Sequence, residues 1–197
     1  MNLGFALEHS LGHTTHAQNL KRVLQDRPDI TPTYVDLPYD GLTGAWTRLP
    51  GVRSNWSLRA SLGAWLGLRR QAGRLDGTLF HTQVTALFSA GLMRRMPSVI
   101  SLDATPLQYD ALGAFYGHVP SGDVRLEALK KRLNQRAFRS ARHLVAWSQW
   151  AKDSLVADYG VPADTVTVIP PGIDTARWTS TCTSSPRRAG WGRACPA

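Results

Sequence analysis

Between Met1 and Pro170, short apolar runs rich in β-branched and aromatic residues alternate with stretches whose apolar positions fall three and four apart. "NLGFALE" (Asn2–Glu8) predicts a strand, and after a glycine-containing turn "HTTHAQNLKRVLQ" (His13–Gln25) predicts a helix. "TPTYVDLP" (Thr31–Pro38) is a second strand, and Leu58, Leu62, Trp65, Leu66 and Arg69 mark one side of a long helix after it. "GTLFHTQ" (Gly77–Gln83) and "SVISLD" (Ser98–Asp103) are strands, with a helix from about Thr85 to Arg95 between them. "HLVAWS" (His143–Ser148) and "VTVIP" (Val166–Pro170) complete the set.

Strands alternating with helices of 10–15 residues imply right-handed crossovers and a parallel sheet. The strands are continuously apolar, as a sheet covered on both faces requires. The fold class is therefore α/β, a Rossmann-like parallel sheet with helices on both faces. Ligands bind such sheets at the carboxyl ends of the strands. That directs attention to the loops after Glu8, His81, Asp103 and Ser148.

The length of 197 residues, 43% hydrophobic and 19% charged, suits one soluble domain. No apolar run approaches the ~18 residues of a membrane span. The opening "MNLGFALEHSLGHTTH" lacks a secretory pattern, so a cytoplasmic protein is expected. Both cysteines, Cys182 and Cys195, lie near the end, which leaves Met1–Trp178 without a disulfide framework or a Cys-based metal site. The net charge is +9, but Arg187, Arg188 and Arg193 follow Trp178 with no acid among them, so the body carries +6. That balance suits an anionic membrane surface, a phosphorylated ligand or nucleic acid. The tail "TSTCTSSPRRAGWGRACPA" has no periodicity and almost no aliphatic side chain, and it is expected to be disordered.

Within the loop after the first strand, Gly12 precedes a helix that starts near Thr14 or Thr15. Free N–H groups and the positive dipole end there suit a phosphate, although a plain tight turn explains the glycine as well. His9, His13 and His16 crowd the same loop. No third ligand has the spacing to complete a metal pair from His13 and His16, so no metal is expected and the two are read as helix-surface or cleft residues.

"LVAWSQWAKDSLVADYGVPADTVTVIPPGID" (Leu144–Asp174) is the most specific stretch. Ser148 can cap the helix that follows the strand. Ala151, Leu155 and Tyr159 fall on one helical face, and Gly160 closes the helix in the left-handed conformation, with Pro162 just beyond. The stretch closely resembles the end of the N-terminal domain in family 4 glycosyltransferases of the two-domain GT-B fold. The matching residues are Ser148, Leu155, Tyr159, Gly160, Val161, Ile169, Pro170, Gly172, Ile173 and Asp174. The resemblance runs through most of Asn2 to about Trp178, strongest in this stretch.

The resemblance implies transfer of a hexosyl group from a nucleotide-sugar donor to an acceptor hydroxyl, with no cofactor. It divides the chain into an acceptor-side domain, 1–178, and the tail, 179–197. It places the Gly12 loop in an interdomain cleft, with His13 and His16 close to donor diphosphate and acceptor. Asp103 stands where many members carry a His facing the acceptor, and a carboxylate there would orient or deprotonate a hydroxyl; its plain alternative is to cap the turn in "DATP". Tyr109, Asp110 and Tyr116 line the acceptor pocket or pack the loop. The amphipathic helix Arg125–His143 carries an apolar stripe of Leu126, Leu129, Leu133 and Ala137 among Lys130, Lys131, Arg132, Arg136 and Arg139. Relatives that use lipid-linked acceptors touch membranes through such helices, so peripheral contact at the inner membrane face competes with a merely solvated face. Nucleic acid is not expected, since Phe138 is the lone aromatic residue in that helix.

"VTVIPPGID" should lead into a second Rossmann domain, yet no Gly-rich turn or Glu-containing helix follows. The expectation is half an enzyme that binds donor weakly and does not turn over alone, its tail the product of a shifted reading frame. Its rivals are a non-catalytic half-domain that binds an acceptor or a separate donor-domain partner chain, and an unrelated small-ligand binder with a basic surface.

Overall fold

The computed structural model describes residues 1–10, 12–39, 44, 52–53, 55–113 and 123–172. The tail, Tyr116, Ile173 and Asp174 lie outside the described residues. Six strands form one parallel sheet: β1 (Asn2–His9), β2 (Thr31–Pro38), β3 (Gly77–His81), β4 (Ser98–Leu102), β5 (His143–Ala146) and β6 (Val166–Val168). Their order is β2-β1-β3-β4-β5-β6, with β1 pairing both β2 and β3 in parallel. The chain reverses its direction of winding between β1 and β3. In an open parallel sheet that switch point is where a crevice forms at the strand ends.

Alternation along β1 distributes the core. Phe5 and Leu7 pack with Ala17 and Leu24 of α1 (His13–Gln25) on one face. Ala6 joins the larger core on the other face, with Ala64 and Leu68 of α2 (Trp56–Gln71) and Leu155 of the helix after β5. The buried side of α2 is Ala60, Ser61, Gly63, Ala64 and Leu68, whereas Leu58, Leu62, Trp65 and Leu66 of the expected stripe are half-buried and Arg69 is exposed. Small residues allow close approach: a Cβ on Gly67 would stand 2.7 Å from a Val35 methyl of β2.

The helix expected over Thr85–Arg95 is broken. A 3-10 turn, Gln83–Thr85, is followed by the one-turn α3 (Ala90–Met93). Phe88 N–H donates to the Ser61 hydroxyl of α2 at 2.7 Å, which diverts an amide that a continuous helix would keep. α4 (Pro106–Ala111) is capped by Thr105 in a reciprocal box with Gln108.

α5 (Val124–Ser140) buries Asn134, Ala137 and Phe138, while Leu126 and Leu129 of its expected stripe face solvent. Ser148 caps α6 (Gln149–Ala157), accepting from Ala151 N–H at 3.2 Å. Gly160 takes φ +61, and the amides of Gly160 and Val161 return to the Val156 and Leu155 carbonyls. Tyr159 is buried edge-on against Phe138, with ring centroids 5.1 Å apart, a contact worth about 1 kcal/mol beyond its area.

Candidate functional site

Glu8, near the end of β1, is a buried carboxylate. It accepts hydrogen bonds from Ser10 Oγ at 2.6 Å, Trp56 Nε1 at 3.0 Å and the Thr82 hydroxyl. Three neutral donors thus hold the carboxyl group and tie the exit of β1 to the start of α2 and the exit of β3. Thr82 has φ 66, a left-handed conformation unusual for a branched residue, and its amide bonds to Ser101 O at 3.1 Å. The bend turns the chain away immediately after His81.

His81 closes β3 and is fully buried, and neither ring nitrogen has a hydrogen-bond partner. Around it gather His16, stacked at 4.7 Å between centroids, His13, edge-on at 5.2 Å, and Trp147, stacked at 5.7 Å. His16 also stacks on Trp147 at 4.6 Å, and Trp147 Nε1 donates to Ser101 Oγ at 2.8 Å, which fixes the indole. Burial, then the neighbouring imidazoles of His16, His13 and His9, push the His81 pKa down to about 3; the Glu8 backbone opposes them weakly without closing a hydrogen bond. Burial and the proximity of His13 lower the pKa of His16 as well.

Beside this cluster opens a cleft of about 410 Å³. Gly12, Thr15, His16 and Asn19 line it from the N-terminal half of α1, Trp147 from the end of β5, and Pro171 and Gly172 from the exit after β6. The first turn of α1 has no side-chain cap and no acidic residue. His13 N–H donates to Ser10 O at 3.0 Å, and the other amides of the turn, with the dipole, can face an anion. Gly12 has φ −64, and a Cβ there would meet nothing within 4 Å. The backbone does not require glycine at this position, and its bareness leaves room for a ligand.

The expected site residues separate into groups. His13, His16 and Asp103 converge: Asp103 follows β4, and its Oδ2 lies 3.7 Å from His13 Nε2. The other Asp103 oxygen accepts from Ala104 N–H at 2.8 Å, so it closes a local turn while Thr105 caps α4. His9 leaves the group, because its Nε2 bonds to Asp36 Oδ1 at 2.6 Å, which Lys21 also holds. Tyr109 and Asp110 lie on α4 and are not among the residues lining the cleft. Among the described residues, no group of His, Cys, Asp and Glu has the arrangement of a metal site.

His81, Trp147, Thr15 and Asn19 were not read as site residues from the sequence, although the loops after His81 and Ser148 were singled out. For His81 and Trp147 the available signal was a polar or indole side chain at or just past the last position of a strand, in "TLFH" and "LVAW".

Sheet order and the cleft beside the switch point define a doubly wound α/β domain with its crevice at the carboxyl edge of the sheet. A profile of Glycosyltransferase Family 4 matches residues 12–177, and the chain belongs to that family. Among curated proteins none matches this chain in sequence. Among solved structures, it resembles a UDP-N-acetylglucosamine 2-epimerase at TM-score 0.52 and 12% identity, covering 85% of this chain and 47% of that one. A UGT transferase from Siraitia grosvenorii in complex with UDP aligns at TM-score 0.49 and 13% identity, covering 87% and 50%. At these identities the likeness concerns the fold, and the first match carries it. The chain spans about half the length of these structures.

Proposed function

We propose that this domain is the acceptor side of an enzyme that transfers a hexosyl group from a nucleotide sugar to an acceptor hydroxyl. The cleft carries the reading, because it joins the uncapped start of α1 to the exit after β6. The donor diphosphate lies against the Gly12–Thr15 turn beside His16, and the acceptor approaches from the side of His13 and Asp103, where Asp103 orients or deprotonates its hydroxyl. Tyr109 and Asp110 extend the acceptor side.

Activity in this reading needs a second Rossmann-like half, in the same chain or a partner, to enclose base and ribose and to exclude water. This half alone binds donor at millimolar strength and does not turn over. The test is an NMR titration with a panel of nucleotide sugars, followed by a transfer assay with a donor-binding domain fused or added. Shifts confined to Gly12, Thr15, His16 and Trp147 are expected, with turnover only in the assembly. A panel that leaves those signals unmoved would sink the reading. Binding without turnover in any assembly would favour a non-catalytic half-domain.

A specific feature supports peripheral membrane contact, with the protein on the cytoplasmic face. On α5, Val124 is 81% exposed and Leu129 53%, beside Arg125, Lys130 and Lys131. Among the described residues, no helix is long and apolar enough to cross a membrane. Co-sedimentation with anionic vesicles, weakened in Leu126→Glu/Leu129→Glu, is the expected result; equal sedimentation of both forms would remove the membrane from the proposal.

A further inference from the structure

Of the three clustered imidazoles, His16 is the one that lines the cleft. Its Nδ1 is buried without a partner. His13 lies on its own helix, His81 at the end of β3, Trp147 beyond β5, and Pro171 and Gly172 at the exit after β6. His9, on β1, is engaged by Asp36. Asp103, after β4, approaches His13 rather than His16. Among the described residues, no carboxylate stands within ion-pair distance of His16. A proton placed on it would meet imidazoles and no counter-charge. The indole beneath it is the exception, since a cation over an aromatic face is attracted to it.

An anion docked on the first turn of α1 would supply the missing charge. We propose that His16 takes up a proton as an anionic diphosphate enters the cleft, so that affinity for the diphosphate rises as the pH falls. The inference rests on the donor placement proposed above and adds its regulation. The direction follows from linkage: a group neutral in the free protein and protonated in the complex strengthens binding by up to about tenfold per pH unit between its two pKa values. Burial and His13 hold the free imidazole below its ordinary value, and a neighbouring anion acts the other way.

The probe is UDP-glucose, a diphosphodiester whose charge is constant across the range used. Its affinity for the whole chain is read by NMR at about pH 8 and at about pH 5.5. Wild type is expected to bind roughly tenfold tighter at the lower pH, and His16→Asn to change by less than about twofold. In parallel, the His16 ring resonances of wild type should titrate at higher pH with probe than without it, a readout that does not depend on the variant folding. A flat wild-type profile with binding intact would overturn the inference and leave the donor reading standing. A slope that survives in His16→Asn would place the proton elsewhere and overturn it too. Absence of binding at every pH would instead remove the donor reading, and this inference with it.

Discussion

Two buried polar clusters lie just past the strand ends, and they differ in whether their polar atoms find one another. Beyond β4, Thr105 Oγ1 and Ser154 Oγ are 2.7 Å apart, Ser154 Oγ donates to Asp158 at 2.6 Å, and Gln108 Nε2 donates to Trp150 O at 2.7 Å. Tyr159 OH accepts from Leu107 N–H at 3.2 Å, and burial pushes its pKa up to about 12. At the switch point, by contrast, His81 keeps both nitrogens unpartnered, and His13 and His16 each leave Nδ1 so. A buried polar group without a partner costs about 1–3 kcal/mol. The first cluster has removed that cost internally and reads as structure. The second carries it beside a cleft, where only a group from outside the domain could relieve it.

The largest effect expected from this contrast is acid sensitivity of the open cluster. The unfolded His81 imidazole, with its ordinary value of 6.5, binds a proton that the folded one refuses until about pH 3. Its folded pKa is depressed, so stability is complete above 6.5 and declines as pH falls toward 3. At about pH 4 the decline should be on the order of 3 kcal/mol. Denaturant unfolding of wild type and His81→Leu across this range measures it. The variant should show a flatter acid limb, and matching limbs would mean that the open cluster carries no such strain.

The fold was more legible in the sequence than the site. All six strands were visible because each is a short run rich in β-branched, aromatic or aliphatic residues between turn signals, and the Ser148 cap and the Gly160 turn were legible because each is a local device. The broken helix at Thr85–Arg95 was not, since its interruption depends on Ser61, far off in sequence. The cluster escaped for the same reason. His13 and His16 are neighbours on α1, but their meeting with His81 and Trp147 depends on strand order, which brings β1 against β3. The exposure of Leu126 and Leu129 on α5 was not legible either, because helical periodicity marks an apolar face without stating whether anything covers it.

The closed cluster makes the opposite prediction from His81. Ser154→Ala leaves Thr105 and Asp158 each short of a partner and should cost about 1–3 kcal/mol in chemical denaturation. Binding of UDP-glucose by the folded variant should be unchanged. Weakened binding would show that the two clusters are coupled, and the comparison would have to be redrawn as one network.

A smaller effect is expected at Gly160, which ends the segment supporting the closed cluster. Alanine there must adopt φ +61, and its Cβ would stand 3.0 Å from Arg139 Nη2, a flexible group able to move aside. Backbone strain therefore dominates, at about 1 kcal/mol of lost stability. A thermal melt of Gly160→Ala measures it. A loss several times larger would mean that the Arg139 contact is held in place by more than its long side chain.

The smallest stability change belongs to Asp103, and it tests the contrast most sharply. Its carboxylate is 46% exposed and reaches His13 Nε2 at 3.7 Å, too far for a hydrogen bond and well screened by solvent. Asp103→Asn should shift stability by less than about 1 kcal/mol, since an exposed pair contributes little and the amide oxygen can still accept from Ala104 N–H. In an assembly that transfers sugar, the same variant should lower turnover while leaving donor affinity within about twofold, because the acceptor side alone is changed. The two readings are separable in one protein preparation. If Asp103→Asn destabilises the fold as much as Ser154→Ala does, the switch-point cluster is held together by structural contacts after all. If it spares both stability and turnover, Asp103 only closes its own turn, and the acceptor side of the cleft must be sought around His13 alone.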